Sequence, residues 1–184
     1  MDYADSLVFL EKLKVAGIKP GLENTRRLLD GVGFNFNGMV VHVAGTNGKG
    51  SCAKTLETIL RENGLKTALY TSPELLDFRE RIRVDGEMIS EEDFARFCFE
   101  VKGAIESSGV SPTFFEATTV LALKYFADLG VDVMVLEAGM GGRLDATNVL
   151  DSKVCVVTSV GLDHQKFLGE TMGEIAFEKA GVVK

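Results

Sequence analysis

Tryptophan is absent from the 184 residues, and histidine (two), cysteine (three) and proline (three) are scarce. Cys52, Cys98 and Cys155 are odd in number, far apart and without Cys-x-x-Cys spacing. That excludes a disulfide framework and the usual zinc spacings, and leaves buried, reduced thiols as the expectation. Positive charge is also in short supply. Lys and Arg number 20 against 27 Asp and Glu, a net charge of -7, so there is no basic face of the kind that holds nucleic acid by counterion release. No apolar run approaches the roughly 20 residues that cross a bilayer. The start, MDYADSLVFLEKLK, alternates charged and apolar side chains and lacks the basic and apolar regions of a signal peptide. The expectation is a cytoplasmic protein, monomeric, with no nucleic-acid or membrane partner. Repeats, low-complexity tracts and linkers that would split the chain are missing too.

What the chain does have is enough apolar surface for one domain's core, with hydrophobic residues at 46%. Residues 4–15 carry Leu7, Leu10 and Leu13 at helical spacing, stopped by Gly17 and Pro20, and a second short helix is expected over residues 23–30. The pattern then changes. Residues 39–44 (MVVHVA) form a nearly unbroken apolar run, as do 68–70, 131–136 and 154–158, and such runs are typical of strands buried on both faces of a parallel sheet. Helical stretches lie between them, over 49–63, 91–107 and 117–128, with a last short helix over 172–180 opened by Thr171 and Glu174. Alternating strands and helices predict an α/β domain with a mostly parallel sheet and ligand loops at the strand carboxyl ends. Residues 81–89 predict an inserted hairpin turned at Asp85-Gly86.

Gly45-Thr46-Asn47-Gly48-Lys49-Gly50-Ser51 follows the first buried strand and opens a helix. Small residues there let backbone N–H groups converge on phosphate oxygens at a helix N-terminus, so Asn47, Gly48, Lys49, Gly50 and Ser51 are candidate phosphate ligands. Lys49 would meet the outer phosphates. The bland alternative is a glycine-rich turn with no ligand. Glu137 closes the run 132–136, where an acidic residue could supply hard oxygen to a divalent cation beside a nucleotide.

Further blocks follow in order: Thr71-Ser72-Pro73, residues 136–148 (LEAGMGGRLDATN), Gly161-Leu162-Asp163-His164 and Glu178-Lys179-Ala180-Gly181. Taken with the loop at 45–51, they resemble folylpolyglutamate synthase / dihydrofolate synthase of the Mur ligase superfamily, over nearly the whole chain. The resemblance implies an α/β fold with a P-loop-type mostly parallel sheet flanked by helices, an incomplete Mur ligase central ATPase domain. Residues 1–38 would be an N-terminal helical segment that contacts substrate. Residues 39–184 would be the central ATP-binding domain, with the C-terminal domain absent and the chain inactive alone. It further implies an ATP-dependent amide ligase, using ATP and Mg2+, in which a folate or dihydropteroate carboxylate takes the γ-phosphoryl group and the amine of L-glutamate attacks the acyl phosphate.

By the same resemblance Lys49 and Lys179 are catalytic, Lys179 as a lysine that carbon dioxide carbamylates. Ser72, Glu137 and His164 would be magnesium ligands. Thr113, Phe114, Phe115 and Glu116, with Leu144, Asp145 and Ala146, would contact the acceptor, and residues 21–23 belong to the substrate-contacting segment. Core packing competes as the reading of Phe114 and Phe115, loop capping as that of Asp145 and Asn148, and His42 is read as core. One departure stands out: Glu74 follows Ser-Pro where the family usually has His. The competing classes are a non-ligase nucleotide-binding module and a phosphotransferase of switch or kinase type. An Asn-Lys-x-Asp motif and an arginine lid would mark the latter, and neither is present.

Overall fold

A computed structural model describes all 184 residues. Two helices, α1 (Tyr3–Leu13) and α2 (Glu23–Gly31), precede the first strand, β1 (Met39–Ala44). Then come α3 (Lys49–Glu62), β2 (Thr67–Tyr70), the hairpin β3 (Ile82–Val84) and β4 (Glu87–Met88), α4 (Glu91–Ser108), α5 (Phe114–Asp128) and β5 (Val133–Glu137). Strand β6 (Val154–Val157) and helices α6 (Gln165–Leu168) and α7 (Met172–Ala180) complete the chain. The sheet order is β4-β3-β2-β5-β1-β6. Strands β2, β5, β1 and β6 are parallel neighbours, and the hairpin joins antiparallel on the β2 side. The architecture is therefore α/β with a mostly parallel sheet, as the alternation predicts.

Alternation along the central strands divides the core in two. Val40, Ala68, Tyr70, Met134 and Leu136 face the larger cluster, built with Leu10, Leu28 and the inner faces of α4 and α5. Val41, Val43, Leu69, Val133 and Val135 face the opposite way, onto α3 through Ala53, Cys52 and Leu56. Phe94 sits in the larger cluster, edge-on to Tyr3 at 5.2 Å and Phe78 at 5.4 Å. Register sets Val43 beside Glu137 and Ala44 beside Val157, so the carboxyl ends of β1, β5 and β6 share one rim.

Several expectations need correction. Residues 154–158 read as a strand buried on both faces, yet β6 stands at the sheet edge with Val154 and Val157 exposed. Apolar content alone does not say how many neighbours a strand has. Helix α5 begins at Phe114 and not at residue 117, because Thr113 and Glu116 close a capping box: each side chain accepts the other's backbone N–H. Helix α1 stops at Leu13 and tightens into a 3-10 turn, Lys14–Ala16. All three thiols are free, but only Cys98 is buried; Cys52 and Cys155 are half-buried. No helix is long and apolar enough to cross a membrane.

Candidate functional site

The loop between β1 and α3 is shaped by what surrounds it. Gly45 has φ +148°, and a Cβ there would stand 2.0 Å from Thr158 Oγ1. Gly48, at φ +80°, is the N-cap of α3, and no side chain caps that end. The first amides of α3 are thus left to a ligand or water, and the helix dipole favours an anion there. The residues after β6 brace the loop: Thr158 Oγ1 donates to Asn47 O (2.8 Å), Asn47 N–H donates to Ser159 Oγ (3.0 Å), and Gly161 N–H donates to Thr46 Oγ1 (2.9 Å). Lys49 Nζ donates to Thr46 O at 3.3 Å, folding the lysine back over the loop.

Glu137 ends β5 and is buried, directly behind this loop; a Cβ at Gly50 would lie 3.5 Å from its Oε2. Ser72 N–H donates to that same oxygen at 3.0 Å, while Oε1 takes no hydrogen bond. Burial raises the Glu137 pKa, against the Ser72 amide and the charges of Lys49 and Arg81. His164 stands exposed in the left-handed region (φ 47°) as N-cap of α6, its Nε2 3.6 Å from Asp163 Oδ2. No group of three or more His, Cys, Asp or Glu side chains gathers anywhere in the chain. The donor set expected for a metal is instead mixed: the Ser72 backbone meets the Glu137 carboxylate, whose oxygens suit a hard cation, and Ser72 and His164 line one cavity that Glu137 does not. Lys179 is only 2% exposed and makes no hydrogen bond or ion pair; burial and the charge of Lys49 lower its pKa, with Asp163 opposing.

A cavity of about 600 Å³ opens beside these groups. It brings together Lys49, Ser72, His164, all four residues of the 113–116 set and all three of the 144–146 set. Asn47, Gly48, Gly50, Ser51, Glu137 and Lys179 are not on its lining. Phe115 lies 6.0 Å from the Tyr70 ring, and Phe114 lies 5.8 Å from Phe78, so both half-buried rings are partly core and partly cavity wall. The Glu116 carboxylate serves the fold through Oε2, which accepts Thr113 N–H (2.6 Å) and Asn24 Nδ2 (3.3 Å). Asp145 is buried and takes donors on both oxygens: Thr147 N–H (3.0 Å) and Oγ1 (2.5 Å) on Oδ1, Met140 N–H (2.9 Å) on Oδ2. Burial still raises its pKa.

Two parts of the site escape sequence reasoning wholly or in part. Residues 17–21 line the cavity, with Gly21 N–H donating to Leu144 O at 3.3 Å; Gly21 belongs to the expected contacting stretch 21–23, whose Leu22 and Glu23 are off the lining, whereas Gly17 and Pro20 read only as a helix stop. Arg81, 8% exposed, projects from the hairpin between Phe78 (5.2 Å) and Phe114 (5.6 Å) and pairs with Glu74. Glu74 thus places a carboxylate against the one arginine buried beside the cavity. Its signal would have been Glu74 and Arg81 flanking an aromatic residue, which only the folded hairpin turns into a contact.

Comparison with known proteins agrees with this fold. A dihydrofolate synthase/folylpolyglutamate synthase of Haemophilus influenzae is 41% identical over 183 residues, covering 98% of this chain and 41% of the relative. A folylpolyglutamate synthase of Arabidopsis thaliana is 47% identical over 150 residues, covering 79% of this chain and 24% of the relative. Among solved structures, Escherichia coli FolC in complex with DHPP and ADP superposes with a TM-score of 0.92 at 42% identity, over 99% of this chain and 44% of that one. The chain spans less than half the length of these relatives. The Mur ligase middle domain matches residues 43–184, from the end of strand β1 through the glycine-rich loop and the rim, and on that match the chain belongs to the Mur ligase middle domain family.

Proposed function

We propose that the chain supplies the ATP site and one wall of the acceptor site of a ligase that joins L-glutamate to the carboxylate of folate or dihydropteroate through an acyl phosphate. The observation that carries this reading is convergence: Lys49, Ser72, His164, the aromatic pair and Asp145 open onto one cavity. The likeness to FolC, whose structure holds ADP and DHPP, supports it. In this reading residues 39–184 are the ATP-binding domain and residues 1–38 the segment that closes the acceptor pocket, through Gly17 to Gly21.

A polyanionic triphosphate and a carboxylate repel, so cationic groups must offset both. Lys49 and the open amides of α3 receive the phosphates. Ser72, Glu137 and His164 would hold Mg2+, which would offset the charge of the phosphate oxygens that repels the incoming carboxylate. Lys179, an amine held in a buried place with its pKa lowered, is neutral more readily than a surface lysine. It adds to carbon dioxide through its nitrogen lone pair, loses a proton, and becomes a carbamate whose negative charge suits the neighbourhood of Lys49 and a cation. Phe114 and Phe115 offer their faces to a flat pterin, and Asp145 accepts from its N–H groups.

The test is ADP formation by the protein that contains this chain, with ATP, Mg2+, dihydropteroate and L-glutamate. Turnover that requires both organic substrates, and that Lys49→Ala abolishes while the fold persists, is expected. ADP formation indifferent to both substrates refutes the reading and favours a phosphotransferase or a simple ATPase. Intact-mass measurement in bicarbonate, with Lys179→Met as control, reports the carbamate.

A further inference from the structure

His42 stands on β1, one residue out of step with the valines that face α3, so its imidazole points the other way, into the loop after β5. It is completely buried, and its Nε2 lies 2.7 Å from Thr147 Oγ1. The same hydroxyl lies 2.5 Å from Asp145 Oδ1. One O–H proton serves two contacts, so only one of them can be a donation by Thr147. Each oxygen of Asp145 already faces a backbone N–H, Thr147 on Oδ1 and Met140 on Oδ2, so a proton on either would meet a donor; these bonds oppose the burial that raises its pKa. The hydroxyl proton therefore belongs to Asp145, and His42 must supply the other bond as an Nε2–H donor.

The opposite end of the ring agrees. His42 Nδ1 is buried and has no partner; Asn148 Oδ1, its amide turned away to donate to Arg143 O and Gly181 O, has none either. A proton on Nδ1 would have only the Asn148 side chain to turn to, and no hydrogen bond is formed between them. Burial, reinforced by the charge of Lys184, brings the His42 pKa down to about 4, with the Asn148 side chain opposing, so the ring is neutral at pH 7 and has one proton to place.

We propose that His42 is a positioning residue of the acceptor site: its Nε2–H donates to Thr147, which commits the Thr147 proton to Asp145 and fixes that side chain in the cavity wall. Chain order hides this relay, since 105 residues separate His42 from Thr147. The inference deepens the proposed function, because it rests on Asp145 as the acceptor of the pterin's N–H groups.

Two measurements test it. With 15N-histidine labelling the chain shows four ring nitrogens, and His42→Gln assigns two of them. The relay requires a pyrrole-type Nε2 and a pyridine-type Nδ1 for His42; an Nδ1-protonated ring overturns it. Binding of folic acid and of a non-hydrolysable ATP analogue is then measured for Thr147→Val and Thr147→Ser. Thr147→Val is expected to weaken folic acid binding roughly tenfold, the scale of one hydrogen bond to a charged group. The ATP analogue should bind as before, and Thr147→Ser, which keeps the hydroxyl, should restore folic acid. Equal folic acid affinity in Thr147→Val, or a parallel loss of both ligands, overturns the proposal. A wild-type chain that takes up no folic acid refutes the acceptor assignment instead, and the ring nitrogens then decide the relay alone.

Discussion

His42 should make the domain sensitive to mild acid. Its ordinary pKa of 6.5 falls to about 4 in the folded chain, first through burial and then through the charge of Lys184. Between those values the unfolded chain binds a proton that the native chain refuses. Stability is therefore intact above pH 6.5 and is lost as pH falls toward 4. The slope approaches 1.4 kcal/mol per pH unit, so the loss across the window is about 3 kcal/mol. That is a large part of a typical domain's 5–15 kcal/mol.

The perturbation is His42→Gln, whose amide can still donate to Thr147 but does not titrate. Urea unfolding at steps from pH 7.5 to 4.5 gives the free energy of each protein. Asp145 and Glu137, both raised by burial, work the other way, each regaining stability as it is protonated on acidification. They are common to both proteins and largely cancel in the difference. His42→Gln is expected to start less stable at pH 7.5 and to lose less on acidification, so the gap narrows or reverses by pH 4.5. Curves that run parallel across the window would show that His42 is protonated as easily folded as unfolded, and the burial argument would fail.

Other sites give sharper single tests. Gly45→Ala forces a Cβ to within 2.0 Å of Thr158 Oγ1 at a φ that L residues rarely adopt, and should cost about 2–3 kcal/mol in urea unfolding and weaken nucleotide binding. Phe94→Ala empties a fully buried ring site against Tyr3 and Phe78 and should cost about 3–5 kcal/mol. Glu74→Gln leaves the Arg81 guanidinium beside the cavity without its carboxylate and should cost about 2 kcal/mol, less than a fully buried pair because Glu74 is 30% exposed. Lys179→Met removes a buried amine that has no ion pair, and should raise the melting temperature at pH 7; a lower melting temperature would refute the account of that amine.

Local signals carry further than contact signals in this chain. The run 39–44 and the loop 45–51 are legible because a strand buried on both faces and a phosphate-type turn are written in consecutive residues. The box at Thr171 and Glu174 is legible for the same reason. The box at Thr113 and Glu116 carries the identical spacing, yet the Phe-Phe pair between its ends reads as a ligand surface and conceals the helix start. Arg81 does not announce itself, and of residues 17–21 only Gly21 does, since each reaches the cavity by packing of elements distant in sequence. Register explains the edge position of β6 in the same way: what pairs with a strand is decided elsewhere in the chain.

Capping and ligand contact are compatible at the acceptor wall, and the atoms show how. Glu116 spends Oε2 on Thr113 and Asn24, leaving Oε1 without a hydrogen bond. Asp145 caps the 3-10 turn Ala146–Val149 through Oδ1 and holds Met140 N–H through Oδ2, yet remains on the cavity lining. A carboxylate anchored by backbone amides cannot swing toward solvent, and those amides oppose the burial that raises its pKa. The entropy of fixing it is spent in folding, not in binding. The same hydrogen bonds that begin helix α5 and close the loop after β5 therefore serve to preorganise the pocket, which is why a capping residue and a ligand-contacting residue here need not be different residues.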